Sequence, residues 1–515
     1  MKLKLPILRK TFLILWLTGL IFHATAQQNK PFQIKGFHLD LRIQVMKMPA
    51  LKTFALNLSK NGVNTLLMEW EGSYPFENEP LVANRYAYKR EEIKSFIAYC
   101  KSIGIDVIPL QQSFGHVEYI LRNSKYAALR EDEKDYSQIN PTKEKEAKAL
   151  FSSLYKDLIS THSSPYIHIG GDETYLLGHS EDSKKKVAAV GMGRLYGDYI
   201  KMLCELVVSL GKRPVVWADI ALKYPEVLKT LPKSTIFMDW NYGWALDRFG
   251  DHAALMKLGF EIWGSPAIRS APDNYYLTDW VKHFNNIRDF IPQAKNLGYN
   301  GMVMTSWSTS GIYSPIFESA TAIIDLHAVR RVYPITGFNI LVAAYLKNMD
   351  AEKPIVIKEF VESYCKENYS FTAAQAAAFW SALTKTPFEV NQAKPDSTNL
   401  TVNQLLDSAK AAVQVLNDLK PLKNHTEFEH YRLMAAIRAQ YLEYMCIEEL
   451  ANSPSCTENE LATLAKRLKA LNTGKIDRKF SSLHQHTLYP SEIKQENRLR
   501  NIKINLLLQR ITKQK

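Results

Sequence analysis

The chain has 515 residues, of which 46% are apolar, and it carries a formal charge of +13. This length exceeds one ordinary hydrophobic core, which predicts one large domain and a smaller one. The basic residues are scattered among acids, a pattern that favours a solvated surface over a nucleic-acid groove. The five cysteines are odd in number and widely spaced, which indicates buried thiols and neither a disulfide framework nor a zinc site.

Residues 1–26 have the pattern of a secretory signal peptide. Four basic residues precede the apolar run TFLILWLTGLIFHA, which closes on Ala24-Thr25-Ala26. The run is shorter than the roughly 20 residues that span a bilayer, so cleavage after Ala26 is expected instead of a membrane anchor. Without those four charges the remaining chain carries +9. The pattern predicts export to a periplasm or to the cell exterior, with no membrane association after cleavage.

Eight apolar runs of strand length alternate with longer amphipathic segments. The runs lie at residues 35–42, 64–72, 105–112, 166–173, 213–219, 235–242, 261–268 and 301–308. Alternating strands and helices predict a parallel sheet covered by helices, as a (β/α)8 TIM barrel or as a doubly wound open sheet. Carboxylates, tryptophans and histidines follow nearly every run, which favours the barrel because its active site lies at the C-terminal ends of the strands.

Beyond residue 335 the pattern becomes helix after helix, with apolar residues three and four positions apart. We therefore expect a catalytic barrel over residues 27–335 and an α-helical C-terminal domain over residues 336–515. The stretch NQAKPDSTNL, residues 391–400, is expected to be an exposed loop. The helical domain is expected to pack on the barrel, where it can wall a substrate cleft or form a homodimer interface.

The stretch SPYIHIGGDETYLLG, residues 164–178, places Asp172 and Glu173 side by side where the fourth strand ends. The letters GGDE also occur in bacterial nucleotide cyclases, but there they form a turn between two antiparallel strands, whereas a helical segment follows here. A metal site could recruit His168 and His116 with the two acids. Because no tight ligand spacing supports it, we expect no metal or other cofactor, and His168 is expected to be a packed strand residue.

Paired carboxylates suit the cleavage of a glycosidic bond. One carboxylic acid must protonate the leaving oxygen, and a second group must stabilise the oxocarbenium-like state. Adjacent side chains on a strand point to opposite faces and cannot both flank one bond as acid and nucleophile. At an irregular strand end, however, one acid can reach the leaving oxygen while the other contacts a neighbouring substituent. This geometry suits catalysis in which the 2-acetamido oxygen of the sugar is itself the nucleophile.

The segment HIGGDE resembles the H-x-G-G-D-E signature of glycoside hydrolase family 20, the β-N-acetylhexosaminidases, which are (β/α)8 barrels. The resemblance extends from Lys35 to Ser314 and includes, in the family's order, KGFHLDL, VIPLQQSFGHVEYIL, INPTKEKEAKALF, VVWAD, FMDW and TSW. The segments LLMEWEGSYPFE and GHVEYILR look closest to the hexosaminidase D-like branch, which lacks the α/β domain usually found before the barrel.

The resemblance implies an exo-acting, retaining β-N-acetylhexosaminidase that removes terminal β-linked GlcNAc or GalNAc from glycans through an oxazolinium intermediate. Glu173 would be the general acid and then the base, and Asp172 would orient the acetamido group. We expect burial and the Asp172 charge to raise the pKa of Glu173. A non-catalytic glycan-binding protein on a hydrolase fold is the alternative, because fold alone does not give function.

Further site residues follow from the same resemblance. His116 would support Glu173, with Glu71 as its partner, although a merely packed loop histidine is the alternative for His116. The expected sugar contacts are Trp217, Asp219, Trp240, Trp307, Asp40 and Tyr242, with Tyr275 and Tyr276 as alternatives to Tyr242. Each tryptophan could instead belong to the barrel core, and Trp263 on the seventh strand has a similar position.

Two departures from the family pattern leave the preference between GlcNAc and GalNAc open. Lys35 stands where most members have an arginine, whose planar fork binds sugar hydroxyls as lysine cannot. Trp307-Ser308-Thr309 replaces the usual Trp-Gly-Glu, which removes a carboxylate that reads the distal hydroxyls of the sugar.

Overall fold

The computed structural model describes residues 31–269, 278–308, 332–385 and 400–513. The expected signal peptide, Tyr275, Tyr276 and nearly all of the expected loop 391–400 lie outside the described residues. Within those four ranges, each helix is too short or too polar to cross a membrane. Of the cysteines, all of which are free thiols, four are buried, as expected, and Cys456 is partly exposed.

Nine parallel strands form one sheet, and eight of them close into a barrel. The strands are β1 (Ile34–Asp40), β2 (Thr65–Glu69), β3 (Asp106–Leu110), β4 (Tyr166–His168), β5 (Arg213–Trp217), β6 (Ile236–Trp240), β7 (Glu261–Ser265), β8 (Ala267–Arg269) and β9 (Gly301–Ser306). Their order is β1-β2-β3-β4-β5-β6-β7-β9-β8, and β1 also pairs with β9. This closure confirms the predicted (β/α)8 barrel and excludes the doubly wound sheet.

The seventh predicted run, residues 261–268, is divided into two strands at Pro266. Proline has no backbone N–H and cannot donate to the sheet, so the regular ladder stops there. The Pro266 carbonyl still accepts a hydrogen bond from the Thr305 N–H at 2.7 Å. Strand β8 then continues beside β9 toward the C-terminal face, where it brings Arg269 next to Ser306.

Helices of the barrel cover the sheet with one apolar face each. In the helix Arg90–Ser102, for example, Ile93, Phe96, Ile97 and Cys100 are buried at helical spacing. The longer helices of this part are Met48–Lys60, Arg90–Ser102, Glu144–Ile159, Glu181–Val190, Met192–Ser209 and Trp280–Leu297. The barrel interior is filled by side chains such as Leu67, Ile108, Val215 and Met238, so the barrel is a packed core.

The C-terminal part is helical, and it shares a hydrophobic core with the barrel. Its helices are Asn339–Asp350, Ile357–Tyr369, Ala373–Thr384, Val402–Asp418, His425–Ala451, Glu458–Lys469, Thr473–His484 and Pro490–Lys513. The Phe284 and Trp380 rings meet edge to face at 5.2 Å across the contact. The Tyr345 hydroxyl donates to the carbonyls of Gly36, at 2.6 Å, and Met302, at 2.9 Å, which ties these helices to β1 and β9.

Candidate active site

His116, Asp172 and Glu173 meet at the C-terminal face of the barrel. His116 follows β3, and the two acids follow β4. The Nε2 atom of His116 lies 3.3 Å from Asp172 Oδ2 and 3.3 Å from Glu173 Oε2. Strand β4 pairs in parallel with β3 and β5, so the GGDE letters do not form the antiparallel turn of a nucleotide cyclase.

The backbone around this cluster is tightly constrained. Gly115 passes so close to the next loop that a Cβ there would lie 2.6 Å from the Asp172 carbonyl oxygen. Gly170 has a φ of +75°, and a Cβ there would lie 2.0 Å from Gln112 Oε1. His116 and Glu173 themselves adopt φ values of +55° and +46°, which non-glycine residues rarely do. Such strain persists only where the surrounding structure enforces it, and it concentrates at functional sites.

The proton of the cluster resides on His116. Burial lowers the pKa of His116, but the charges of Asp172 and Glu173 and their hydrogen bonds outweigh it and raise that pKa well above 6.5. Burial raises the pKa of Glu173, but His116 and the Tyr175 hydroxyl, which donates to Glu173 Oε1 at 2.8 Å, lower it overall. The expectation that the pKa of Glu173 is raised is therefore wrong for the free protein, because a cation contacts this carboxylate.

Asp219 lies beneath the two acids, where its Oδ2 atom accepts a hydrogen bond from the Glu173 N–H at 3.3 Å. It is only 3% exposed. Burial, followed by the charge of Asp172, raises the pKa of Asp219 to about 7. In the folded protein the Asp219 carboxylate therefore accepts a backbone N–H and gains or loses a proton near neutral pH.

We expect Asp219→Asn to stabilise the fold more at pH 8 than at pH 5. The pKa of Asp219 rises from 3.8 to about 7 on folding, so ionisation penalises the folded state progressively between these values. The penalty grows by up to about 1.4 kcal/mol for each pH unit, and an asparagine avoids it while still accepting the Glu173 N–H. Urea unfolding of the variant and the wild type across this pH range measures the difference.

Asp182→Asn is the matched control for that measurement. The Asp182 carboxylate is exposed and pairs with Lys143 at 2.9 Å, and this contact lowers its pKa. Since the shift has the opposite sign, Asp182→Asn should gain no stability as the pH rises. An advantage of Asp219→Asn that is the same at pH 5 and pH 8 would contradict the assigned shift.

Glu71 does not contact His116, contrary to expectation. Both of its carboxylate oxygens are buried and have no hydrogen-bond partner among the described residues, and its φ is +43°. Burial raises its pKa well above the ordinary value, and the charges of Glu69, Asp40 and Glu118 add to this against the lowering effect of Arg42. The sequence could not show this, because the conformations of the loops after β2, β3 and β4 decide which side chains meet, and they bring His116 to the two acids.

The expected aromatic side chains lie at or just after the C-terminal ends of β5, β6 and β9, at the same face of the barrel as the cluster. The Trp217 ring is fully buried, with its centroid 4.5 Å from His168 and 6.0 Å from Trp307. Trp240 and Trp307 are partly exposed. Tyr242 links these two, because its ring lies 5.3 Å from Trp240 and its hydroxyl accepts the Trp307 indole N–H at 2.8 Å. The structure thus brings all four predicted aromatic residues together, and Trp217 is also part of the packed barrel interior, as the alternative expectation had it.

Trp263 and His168 are buried residues of the barrel interior. The Trp263 ring packs edge to face on Tyr166 at 5.3 Å, and its indole N–H donates to Glu261 at 2.8 Å, near the beginning of β7. Its position is therefore not equivalent to those of the other tryptophans. His168 is fully buried, and its Nδ1 atom accepts the Gly170 N–H at 3.0 Å, as befits a packed strand residue.

Asp40 holds an arginine instead of facing open space. Its carboxylate accepts the Arg42 side chain at 3.0 and 3.1 Å and the Ser308 N–H at 2.9 Å. The Arg42 guanidinium in turn lies 5.5 Å from the Trp307 ring. Lys35 pairs with Asp350 at the beginning of β1, away from this face. Arg42 is thus a cation of the site in addition to His116, and it was missed although it stands two residues after Asp40.

Sequence reasoning also missed the aromatic residues that extend the wall outward. Trp244 and Phe249, in the loop after β6, lie 5.2 Å and 4.8 Å from Trp240. Tyr175, whose hydroxyl contacts Glu173, is 73% exposed. The spacing Trp240-x-Tyr242-x-Trp244 was an available signal, since it places aromatic rings at alternate positions where a barrel strand ends.

The ligand atoms of His116, Asp172 and Glu173 lie within 4.8 Å of one another, close enough to hold a metal ion. A metal ligand must be a neutral imidazole, whereas the raised pKa of His116 describes an imidazolium that bridges two carboxylates. A metal ion bound there would have to displace this proton. Chemically, the arrangement offers a proton donor, a fixed anion and an aromatic surface that can bind the apolar face of a sugar ring.

Comparisons with known proteins find matches to most of the barrel. Residues 38–310, more than half of the chain, match the family described as "Glycosyl hydrolase family 20, catalytic domain". The chain is similar to hexosaminidase D of Homo sapiens, with 27% identity over 364 residues that cover 66% of this chain and 74% of that protein. Hexosaminidase D of Bos taurus is 27% identical over 301 residues, which cover 55% of this chain and 86% of that protein.

Among solved structures, the chain is similar to a β-N-acetylhexosaminidase from Bacteroides fragilis. The identity is 18%, the TM-score is 0.48, and the match covers 65% of this chain and 69% of that one.

Proposed function

Since the chain belongs to glycoside hydrolase family 20 and is a glycoside hydrolase that acts on N-acetylhexosamine, we propose that it removes terminal β-linked GlcNAc or GalNAc with retention. The reaction would use the 2-acetamido group of the substrate as nucleophile. The observation that supports this mechanism is the single His116 Nε2 atom that contacts both Asp172 and Glu173.

That contact is compatible with a reaction that needs no enzymic nucleophile. In a double displacement, the acid and the nucleophile must approach the anomeric carbon from opposite sides. Here one imidazole nitrogen draws both carboxylates to the same side, with their oxygens within 4.8 Å. One acid can then reach the leaving oxygen while the other reaches the acetamido group, an arrangement in which the substrate supplies the attacking atom.

The reaction divides into two displacements at the anomeric carbon. In the first, Glu173 donates a proton to the glycosidic oxygen, the acetamido oxygen bonds to the anomeric carbon, and the bond to the leaving group breaks. Asp172 accepts the acetamido N–H and stabilises the positive oxazolinium charge. In the second, Glu173 removes a proton from water, which attacks the anomeric carbon and expels the acetamido oxygen. Two inversions give net retention.

His116 supplies the proton that Glu173 needs. In the free protein this proton resides on His116, but His116 and Glu173 are in contact, so its transfer to Glu173 changes no total charge. A neutral, partly desolvating substrate favours the uncharged pair over the ion pair. The proton therefore belongs to the cluster, and activity should depend on the pKa of the cluster as a whole.

We expect His116→Asn to move the alkaline limb of the kcat/KM profile toward acid. In the wild type the limb reports loss of a proton whose pKa is raised well above 6.5, whereas in the variant only the carboxylates retain a proton. Initial rates from pH 4 to pH 9 measure the shift. His179→Asn, at a surface histidine, is the control and should leave the profile unchanged. A limb at the same pH in both enzymes would contradict the shared-proton assignment.

We also propose export, supported by the basic residues, apolar run and Ala-x-Ala site of residues 1–26. Amino-terminal sequencing of the protein recovered from its natural host tests this directly. An N-terminus at Gln27 supports cleavage after Ala26, and an intact Met1 contradicts it.

Hydrolysis by the chain without residues 1–26 tests the proposed function. Aryl β-N-acetylglucosaminide and aryl β-N-acetylgalactosaminide should both be tried, because the residues that read the distal hydroxyls differ from the family pattern. Release of the aryl alcohol supports the proposal, and the ratio of the two rates gives the sugar preference. Binding of either sugar without release would favour the alternative of a non-catalytic glycan-binding protein.

A further inference from the structure

The segment that follows β1, Leu41–Lys47, carries Arg42 into the site and is held by the C-terminal end of the chain. Met46 forms an isolated antiparallel bridge with Leu488. The Lys47 N–H donates to the Thr487 carbonyl at 2.7 Å, and the Lys47 side chain donates to the Gln485 carbonyl at 2.7 Å. The last helix, Pro490–Lys513, begins directly after these contacts.

Gln44 is the centre of a second set of contacts between the same two parts. Its N–H donates to Glu492 Oε2 at 2.8 Å, and its side-chain amide donates to Glu496 Oε1 at 3.3 Å. Both glutamates belong to the last helix. Gln44 is only 3% exposed and has a φ of +56°, so a strained non-glycine residue is held by acids that lie about 450 positions away in the sequence.

The Gln44 side chain also contacts Arg269, which lies at the end of β8. Gln44 Oε1 accepts a hydrogen bond from Arg269 at 3.1 Å, and Arg269 also donates to the Ser306 hydroxyl at 2.9 Å. The Arg269 carbonyl accepts the Trp307 N–H at 3.1 Å. Gln44, Arg269, Glu492 and Glu496, called here the Gln44 bridge, thus connect the last helix to the backbone of Trp307.

The buried charge of Arg269 also depends on the last helix, because Glu496 supplies one of its compensating charges. Arg269 is 1% exposed, and burial lowers its pKa to about 10 against the opposing charges of Asp40 and Glu496. A buried cation needs a nearby anion, and one of the anions here comes from the last helix. Loss of that helix would leave the guanidinium poorly compensated next to Ser306 and Trp307.

We infer that the last helix positions the active site, because the Gln44 bridge fixes both the Arg42 segment and the Trp307 backbone. The C-terminal helices then help to position active-site residues in addition to packing on the barrel. Glu492, Glu496 and Gln44 are positioning residues, since they act through Arg42 and Trp307. Of the measurements described below, KM rests on the proposed function, whereas hydrogen exchange does not.

Gln44→Gly separates positioning from stability. Glycine adopts a φ of +56° without strain, so the change removes the side-chain bridge and leaves the backbone relaxed. We expect the melting temperature to stay within about 3 °C of the wild type. We expect KM for an aryl N-acetylhexosaminide to rise about tenfold while kcat changes less, because sugar contacts are loosened in ground and transition states alike. Glu492→Ala combined with Glu496→Ala should produce the same split.

Two controls and one independent readout keep this inference testable. Asn424→Gly, at an exposed residue with a positive φ of +46° just before the helix His425–Ala451, and Glu443→Ala, which breaks ion pairs to Lys410 and Arg467, should leave KM unchanged. Hydrogen exchange needs no catalysis, and Gln44→Gly should speed exchange of the Trp307 and Ser308 amides about tenfold or more.

Unchanged KM and unchanged exchange in folded Gln44→Gly would overturn the inference. Absence of wild-type hydrolysis with faster exchange would overturn only the proposed function.

Discussion

Glu173→Gln should lower kcat by about 10²–10⁴-fold toward substrates with poor leaving groups, because general acid catalysis contributes that much. The amide matches the carboxylate in shape and still accepts the Tyr175 hydroxyl, which donates to Glu173 at 2.8 Å in the wild type. It cannot deliver a proton to the glycosidic oxygen. A 2,4-dinitrophenyl leaving group needs little protonation, so the loss should shrink markedly for that substrate. Steady-state kinetics across a series of aryl leaving groups measures the trend.

Glu181→Gln is the matched control for this series. Glu181 lies at the exposed beginning of a nearby helix, where it pairs with Lys184 at 2.7 Å. The same chemical change there should leave kcat within about twofold, as surface substitutions usually do. A loss in Glu173→Gln that is equal for good and poor leaving groups would contradict the role of Glu173 as general acid.

Asp172→Asn should lower kcat by about 10²–10³-fold, the usual effect of removing an electrostatic stabiliser from a preorganised site. Asp172 is 6% exposed and lies 3.3 Å from His116, so its charge acts in a largely dry environment. The loss should be the same for all leaving groups, because the oxazolinium charge does not depend on them. The leaving-group series for Glu173→Gln therefore distinguishes the two acids.

Asp182→Asn, an exposed isosteric change, controls for the substitution itself and should retain wild-type kcat. The melting temperature of Asp172→Asn must be measured alongside, since the same change removes a partner of His116. A folded Asp172→Asn enzyme with nearly wild-type kcat would contradict the stabilising role. A loss that follows leaving-group quality would instead assign proton donation to Asp172.

The barrel could be predicted from the sequence because it depends on local patterns. Each of the eight apolar runs overlaps a strand, and most strands end before the last residues of their run. The C-terminal ends of parallel strands must meet at one face, so His116, Asp172, Glu173 and the tryptophans could be assigned to one place. This assignment depended mainly on the positions of these residues relative to the ends of the strands.

The contacts within the site could not be predicted, because they depend on how loops of different strands meet. Nothing in the sequence indicated that Glu71 would have no hydrogen-bond partner among the described residues, whereas the spacing of Asp40 and Arg42 was a local signal that was overlooked. The pKa of Glu173 was expected to rise because only Asp172 and burial were considered, whereas the loop after β3 brings the His116 cation to it. The link between Gln44 and Glu492 spans almost the entire chain and leaves no local pattern.

Substitution of the acetamido group tests the central claim most directly. Fluorine on the acetyl methyl lowers the nucleophilicity of the carbonyl oxygen with little change in size. If that oxygen attacks the anomeric carbon, wild-type kcat/KM should fall steeply through the mono-, di- and trifluoroacetyl substrates, and a substrate with a 2-hydroxyl group should scarcely react. If kcat/KM stays flat across the series, the nucleophile belongs to the protein, and the mechanism proposed from His116, Asp172 and Glu173 is wrong.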